Sequence, residues 1–246
     1  MGTSQYHKKF TAFIAGVGLL AASGFATTAQ AVMFDFGAIG VGNEGGNPSE
    51  VDATPIGLRF EEGSSSVFTD DFAANANLQV IATGQLVGGV AYAYLDGPTG
   101  SPPRQAGLGV CKILVGTDHD CDPSDDDNVT AGETLTLSFN QIVTLTDIMF
   151  RGENHYDVDS LAAPAELESD ETLFINGIET TFGSALATLA LIGAQSEFTF
   201  TYGGDDPEQF YVRIIDARAS VPEPGTLILL GMGLLGLGAG GRRMRR

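Results

Sequence analysis

A run of closely spaced aspartates is the part of this chain in which residue type and spacing most clearly suggest a chemistry. Asp118, Asp120 and Asp122 alternate along the sequence, and Asp126 follows after a short gap. Side chains at alternate positions can converge on one hard cation, and carboxylate oxygens are the ligands that Ca²⁺ prefers. The pattern predicts bound Ca²⁺ held by these four aspartates. A solvated acidic loop that binds nothing specific is the alternative.

The acidic run is not an EF-hand. Pro123 occupies the position at which an EF-hand loop requires glycine, and Val129 occupies the position of its bidentate glutamate. A calcium site in this segment must therefore be a looser loop, held in place by other parts of the chain.

A second acidic stretch alternates in a similar way, with Glu153, His155, Asp157 and Asp159. It is a candidate for another cation site, although a polar loop is the interpretation that its residue types favour. The sequence has no G-x-S-x-G elbow, no H-E-x-x-H motif and no phosphate-binding glycine loop with its lysine. We therefore predict no catalytic residue and a protein that is not an enzyme. The alternatives are a secreted carbohydrate-active hydrolase using paired carboxylates, and a sugar-binding module that uses Phe or Tyr rings.

The segments that would position these residues have the period of β-strands. Apolar residues alternate with polar ones over Thr134–Phe139 and again over Phe198–Tyr202. Asn176-Gly177 separates two apolar runs, which is a strong hairpin signal because both residues accept a positive φ. The run Val143–Phe150 follows Asn140-Gln141, and this spacing also suggests a hairpin. Ser184–Ile192 fits either a short helix or a strand.

Many short strands separated by turn residues predict an all-β fold, namely a jelly-roll-like β-sandwich. The sequence shows no repeat of constant period, which argues against a solenoid or a propeller.

The N-terminus has the layout of a secretory signal peptide. Lys8 and Lys9 precede an apolar stretch, and small residues follow, ending in Ala29-Gln30-Ala31. Ala29 and Ala31 form an A-x-A site for signal peptidase, so we expect residues 1–31 to be removed and the mature chain to begin at Val32. A retained N-terminal anchor is the alternative.

The C-terminus combines a proline motif, an apolar run and a basic end. Val221-Pro222-Glu223-Pro224 cannot continue a helix or a central strand, so its backbone is predicted to be extended and accessible. Gly225–Gly241 carries no charge over 17 residues, and is just long enough as a helix to cross a bilayer core. Four of the last five residues are arginines, which favour the cytoplasmic side. The segment 221–246 is thus predicted to contain a single transmembrane helix, preceded by an accessible proline motif.

This C-terminal arrangement resembles the PEP-CTERM sorting signal of Gram-negative bacteria. The resemblance implies recognition by an exosortase, cleavage near the motif and delivery to the cell surface or the extracellular matrix. The segments Gly107–Cys111, Glu133–Phe139 and Phe210–Val212 are similar to the bodies of many PEP-CTERM surface proteins. They imply a β-sandwich ectodomain, an association with exopolysaccharide and no known catalytic residues.

The predicted ectodomain, residues 32–220, is strongly acidic. It holds six basic and 30 acidic residues, for a net charge of −24. A chain of this charge without clusters of Lys and Arg does not bind nucleic acid. Its two cysteines, Cys111 and Cys121, are predicted to form a disulfide because the protein is exported. A two-thiolate metal site is the less favoured alternative.

The sequence thus predicts an exported protein, anchored transiently in the inner membrane and then placed at the cell surface or outside the cell. Its predicted role is structural or binding, with Ca²⁺ and exopolysaccharide as ligands. Its expected processing partners are signal peptidase and an exosortase.

Overall fold

The computed structural model describes residues 31–41, 45–46, 58–61, 77–98, 103–116, 119–123, 127–162 and 167–219. These residues belong to one compact unit, Ala29–Ser220. Ala29 and the motif Val221-Pro222-Glu223-Pro224 lie outside the described residues, whereas Ala31 is the first residue of a strand. The boundaries predicted at 31/32 and 220/221 stay predictions.

Strands make up most of the described chain. They are β1 (Ala31–Asp35), β2 (Gly45–Gly46), β3 (Leu58–Glu61), β4 (Gln79–Leu86), β5 (Gly89–Val90), β6 (Tyr92–Leu95), β7 (Leu108–Cys111), β8 (Leu114–Val115), β9 (Asp120–Cys121), β10 (Glu133–Arg151), β11 (Thr172–Ile175), β12 (Ile178–Thr181), β13 (Gln195–Tyr202) and β14 (Tyr211–Ala219). The helices are α1 (Phe36–Gly40), a 3₁₀ turn (Phe182–Ser184) and α2 (Ala185–Ile192). The all-β class is confirmed.

Twelve of these strands form one antiparallel network. Its main path runs β12-β11-β13-β10-β14-β7-β6-β2, while β1 also pairs with β14, and β3 and β5 pair with β4. Strand β4 joins the network beside β10, and β8 and β9 form a separate two-stranded ribbon. Strand β10 therefore organises the fold, because it pairs with three strands: β4 and β13 along its first half and β14 along its second half.

The hairpin predicted at Asn140-Gln141 is wrong, because β10 continues through these residues as one strand of 19 residues. A two-residue hairpin needs positive φ angles, and neither residue has one. The Asn140 side chain is instead fixed by strand β4 and the residues before it: its Oδ1 accepts from the amide of Gln79 (3.0 Å), and its Nδ2 donates to the carbonyl of Asn77 (2.8 Å). The strand bends here rather than reversing within one sheet.

The two halves of β10 have different partners. Its first half pairs with β4 and β13, and its second half pairs with β14 across register shifts that mark bulges. The halves nevertheless contact each other through the core. Phe150, in the second half, packs edge-on against Phe200, whose backbone partner is Leu135 in the first half. The bend therefore folds the end of β10 back over its beginning.

Two other predictions about local structure have clear outcomes. The hairpin at Asn176-Gly177 is confirmed, since β11 and β12 pair directly around it and the two residues have φ angles of +50° and +74°. The ambiguous segment Ser184–Ile192 is mainly helix, α2, which buries Ala185 and Leu189. Among the described helices, none is both long and apolar enough to span a membrane.

The predicted disulfide between Cys111 and Cys121 is present. The bond joins β7 to β9, with Cα atoms 5.8 Å apart, and both cysteines are buried beside Tyr94. It fixes the β8–β9 ribbon to the main sheet.

We expect the Cys111→Ser/Cys121→Ser double variant to be less stable by roughly 2–3 kcal/mol, because a loop of this length restricts the unfolded chain by about that amount. Urea unfolding of the oxidised protein and of the variant measures the difference. Adding a reductant should lower the stability of the wild type but leave the variant unchanged. Equal stability of the two proteins would show that the bond does not contribute.

Candidate functional site

The acidic loop predicted to bind Ca²⁺ is only partly described. Asp120 lies in β9 opposite Val115, and the amide of Asp122 donates to the carbonyl of Ile113 (2.9 Å). The side chains of both aspartates are exposed, and Asp118 and Asp126 lie outside the described residues. Within the described ranges, no group of three or more His, Cys, Asp or Glu side chains is arranged to hold a metal ion. Calcium binding stays a prediction.

The residues of the second acidic stretch do not converge. Glu153 is exposed, Asp159 accepts from the amide of Ser169 (2.9 Å), and Asp157 pairs with Arg151. His155 alone turns inward and is buried. Its φ of +64° lies in the left-handed region, where a non-glycine residue stores strain that the surroundings must hold. His155 belongs to a buried cluster of polar side chains that the sequence did not predict.

His155 forms a buried ion pair with Asp96, the residue that follows β6. Its Nε2 lies 2.7 Å from Oδ2 of Asp96, and the side chains are only 3% and 8% exposed. Its Nδ1 lies 3.0 Å from the carbonyl oxygen of Arg104. Both ring nitrogens therefore face acceptors, and an imidazole can donate from both only when it is protonated. The geometry indicates a charged histidine.

A second carboxylate and a tyrosine complete the network. The hydroxyl of Tyr211, at the start of β14, donates to Oδ1 of Asp127. The Tyr211 ring packs edge-on against the His155 ring, with centroids 5.3 Å apart. Asp127 and Tyr211 are both buried. We call Asp96, Asp127, His155 and Tyr211 the buried network.

Burial and mutual charge control the protonation of the network. Removal from water, reinforced by the nearby Asp96, raises the pKa of Asp127 to about 7, although the Tyr211 hydrogen bond opposes the rise. Burial acts to lower the pKa of His155, but hydrogen bonding to Asp96 and to the Arg104 carbonyl outweighs it and raises that pKa. Burial and the two carboxylates raise the pKa of Tyr211 well above its usual value. Below neutral pH the network holds one compensated ion pair and a neutral Asp127.

Arginines surround this network and fix the loops that carry it. Nε of Arg151 donates to Oδ1 of Asp157 (2.7 Å), and Arg151 also donates to the carbonyl of Gln105. Nη1 of Arg213 lies 3.6 Å from the same Asp157 oxygen. The guanidinium of Arg104 lies 4.1 Å from the centre of the Tyr156 ring. The turn that holds His155 is therefore tied to β10, β14 and the segment before β7.

Strand β7 approaches the network closely enough to require a glycine. A Cβ atom added to Gly109 would lie 1.9 Å from the carbonyl oxygen of Asp127, which is a backbone atom and cannot rotate away. Gly109 therefore lets β7 pass directly beside the segment that carries Asp127. The Gly107–Cys111 run that resembles other surface proteins has a packing role here.

The arrangement joins parts of the chain that are distant in sequence through groups whose protonation depends on pH. His155 and the two carboxylates are acid–base groups, but a substrate must reach such groups, and all of them are buried. In this structure the buried network joins the ends of β6 and β10 to the beginning of β14 and to the segment before Val129.

We expect Asp127→Asn to stabilise the protein at pH 8 and to make its free energy of unfolding less dependent on pH. The folded-state pKa of Asp127, about 7, exceeds the ordinary value of 3.8. In the wild type, the contribution of Asp127 to the free energy of unfolding is therefore full at low pH. It is lost as the pH rises through about 7. The raised pKa of His155 has the same effect on stability. Its contribution to the free energy of unfolding is full below the ordinary pKa of 6.5 and is lost as the pH rises through the folded-state pKa.

Thermal and urea unfolding between pH 4 and pH 8 would measure this effect. At about 1.4 kcal/mol for each pKa unit, the Asp127→Asn variant should be more stable than the wild type by a few kcal/mol at pH 8. At pH 4 the two proteins should be similar. Asp120→Asn, at an exposed carboxylate, is the control and should change little. A wild type with the same stability at pH 5 and pH 8, unaffected by Asp127→Asn, would contradict the assignment.

The fold and the disulfide are consistent with a protein that folds outside the cytoplasm. An all-β body with a buried disulfide is typical of proteins that fold in an oxidising compartment outside the cytoplasm. Its last strand ends at Ala219, immediately before the C-terminal segment.

That segment is a known export signal. The family described as the PEP-CTERM protein-sorting motif matches residues 220–246, which confirms the resemblance found in the sequence. The chain is therefore an exported protein carrying a signal for sorting and processing by an exosortase. No curated protein and no solved structure matches the chain.

Proposed function

We propose that this protein is a non-enzymatic component of the cell surface or the extracellular matrix. Signal peptidase removes residues 1–31, the C-terminal helix anchors the chain transiently in the inner membrane, and an exosortase then cleaves near Pro222-Glu223-Pro224. The observation that carries this proposal is the match of the sorting motif to residues 220–246, directly after the last strand of the body. The absence of a recognised catalytic motif from the sequence supports a structural or binding role.

The body delivered in this way is proposed to be a jelly-roll-like β-sandwich. The contact of Phe150 with Phe200 joins the two halves of β10, and the contact of Phe34 with Phe139 joins β1 to the first half. Aromatic contacts between strands that are not neighbours in the sheet support two packed layers.

Mass spectrometry of the mature protein from its native host would test the proposed processing. We expect an N-terminus at Val32, a C-terminus near the proline motif and a surface or extracellular location. An intact chain recovered from the cytosol would refute the proposal. Hydrolysis of a polysaccharide by the purified body, abolished by one carboxylate substitution, would instead support the hydrolase alternative.

Ca²⁺ and exopolysaccharide are the ligands we propose for the body. The association with exopolysaccharide rests on the resemblance to other PEP-CTERM proteins. The calcium hypothesis rests on Asp118, Asp120, Asp122 and Asp126, and the disulfide at Cys121 supports it by fixing the middle of this loop. An acidic body at a net charge of −24 attracts cations in any case.

We expect Ca²⁺ at millimolar concentration to raise the melting temperature of the body, because a ligand that binds only the folded state stabilises it. Replacing Asp118, Asp120 and Asp122 with Asn should abolish the rise. The matched control replaces three exposed acids elsewhere, Asp147→Asn, Glu153→Gln and Asp170→Asn, and should keep it. An equal rise in wild type and both variants would mean that Ca²⁺ acts through general charge screening and would exclude the site.

A further inference from the structure

The outward face of the sheet carries a row of side chains that crosses five strands. Leu135, Phe200 and Leu173 are buried in the core, so their neighbours along β10, β13 and β11 point to the opposite face. The registers of these strands with one another, with β4 and with β12 place the outward side chains directly opposite each other. We call them the outer row: Gln85, Thr134, Thr201, Phe174 and Glu179.

Phe174 is an aromatic side chain that does not belong to the core. Among the phenylalanines that the structure describes, it alone is not buried, and it does not pack against the core cluster. Gly203 makes room beside it, because a Cβ atom added there would lie 2.9 Å from Cε2 of the ring. One part of the Phe174 ring therefore rests on the backbone of Gly203, while another part stays accessible.

The polar members of the outer row are held in place by the protein itself. The hydroxyl oxygens of Thr134 and Thr201 lie 2.9 Å apart, and both side chains are half-buried. One hydrogen bond uses one donor and one acceptor, so the pair keeps a second donor and further lone pairs. Oε1 of Glu179 accepts from the amide of Asp205 (2.8 Å). The row thus places an aromatic ring among hydrogen-bonding groups whose positions are set before any ligand binds.

A sugar ring has the two kinds of surface that the outer row can bind. Its C–H faces are apolar and pack on aromatic rings, and its hydroxyls donate and accept hydrogen bonds. Strands lie 4.7–4.9 Å apart, so the row is about 19 Å long, which suits an extended chain of sugar rings. Thr136, two residues after Thr134 on the same face, is buried, so the accessible hydroxyls are those of the outer row.

We propose that the outer row is the surface with which this body binds a neutral polysaccharide. Phe174 stacks on a sugar ring, and the polar members of the row bind the hydroxyls of the polymer. This inference rests on the proposed association with exopolysaccharide and names the face that carries it. The outer row includes no Lys or Arg, and the body has a net charge of −24, so an anionic polymer would be repelled. The charge therefore favours a neutral polymer.

The absence of tryptophan from this chain allows a direct test. Phe174→Trp introduces a single fluorophore that can still stack on a sugar ring, and Leu161→Trp, at a fully exposed leucine, is the matched control. Each full-length variant is purified in a mild detergent and titrated with the neutral fraction of the exopolysaccharide from the native host, and separately with alginate, an anionic polymer. We expect a blue-shifted emission and weaker quenching by acrylamide only for the Phe174→Trp variant with the neutral fraction.

Binding to the same two polymers, coupled to beads, measures the contribution of each side chain. Phe174→Ala should lower the affinity for the neutral fraction by about tenfold, because the stacking surface is lost, whereas Phe174→Tyr should keep it. Thr201→Val removes a hydroxyl but keeps the shape of the side chain, and should lower the affinity several-fold. The melting temperature of each variant shows whether it is folded.

The outcomes separate the two levels of the proposal. A wild type that binds neither polymer would overturn the proposed association with exopolysaccharide and this inference together. A wild type that binds the neutral fraction would overturn this inference alone if folded Phe174→Ala and Thr201→Val variants bind equally well, or if the emission of the Phe174→Trp variant does not respond. Stronger binding of alginate than of the neutral fraction would refute the choice of a neutral ligand.

Discussion

Replacing Pro222 and Pro224 with alanine should leave the precursor uncleaved and retained in the membrane fraction. Proline on both sides of Glu223 disfavours a helix, so the sequence predicts an extended backbone for this short motif. A processing enzyme needs an extended, accessible backbone, and alanine would allow the helix predicted for Gly225–Gly241 to grow toward the body. Immunoblots of cell fractions from the native host would show a longer, membrane-bound form in place of the mature one.

The control for this experiment is Pro103→Ala, which changes an exposed proline in the body. It should be processed and delivered as the wild type is. Normal cleavage and delivery of the Pro222→Ala/Pro224→Ala protein would show that the prolines are not needed for recognition. Retention of the Pro103→Ala protein as well would point to a folding defect rather than to sorting.

Phe150→Ala should destabilise the body by about 3–5 kcal/mol, the usual cost of emptying a buried aromatic site. Phe150 packs edge-on against Phe182, Phe200 and Phe210, at ring-centroid distances of 5.2, 6.2 and 5.6 Å. Since domains are typically stable by only about 5–15 kcal/mol, this loss would lower the melting temperature by on the order of 10 °C. Leu161→Ala, at a fully exposed leucine, should have little effect.

A double-mutant cycle of Phe150→Leu and Phe200→Leu extends this test to the proposed sandwich. Edge-on aromatic pairs couple by about 0.5–1.5 kcal/mol, so the double variant should lose less than the sum of the single ones. Additive effects would mean that the two halves of β10 do not pack together as the structure places them.

The sequence predicted those parts of the fold that local patterns determine. Asn176-Gly177 specifies its hairpin because both residues tolerate the required φ angles, and alternation identified β13 and the first half of β10. The same kind of signal failed at Asn140-Gln141. There the side chain of Asn140 bonds to Asn77 and Gln79, which are distant in sequence, and these contacts favour a bend over a turn.

The buried network had no sequence signal of its own. Asp96, Asp127, His155 and Tyr211 lie far apart along the chain and follow no spacing that a motif could capture. The sequence placed His155 in an alternating polar loop. In the structure its side chain is buried because its backbone is left-handed and its ring packs against Tyr211 of β14. In contrast, the sorting signal could be recognised because its chemistry depends on neighbouring residues and not on the fold.

The antiparallel pairing of β1 with β14 affects the order of folding during export. These strands lie at opposite limits of the folded body, so their ladder cannot form until the whole body has emerged from the translocation channel. Contacts between such distant parts of a chain close a large loop and form slowly. We therefore expect the ladder between β1 and β14 to form late, once β14 is available to pair, so that the body is completed only after nearly all of it has been exported.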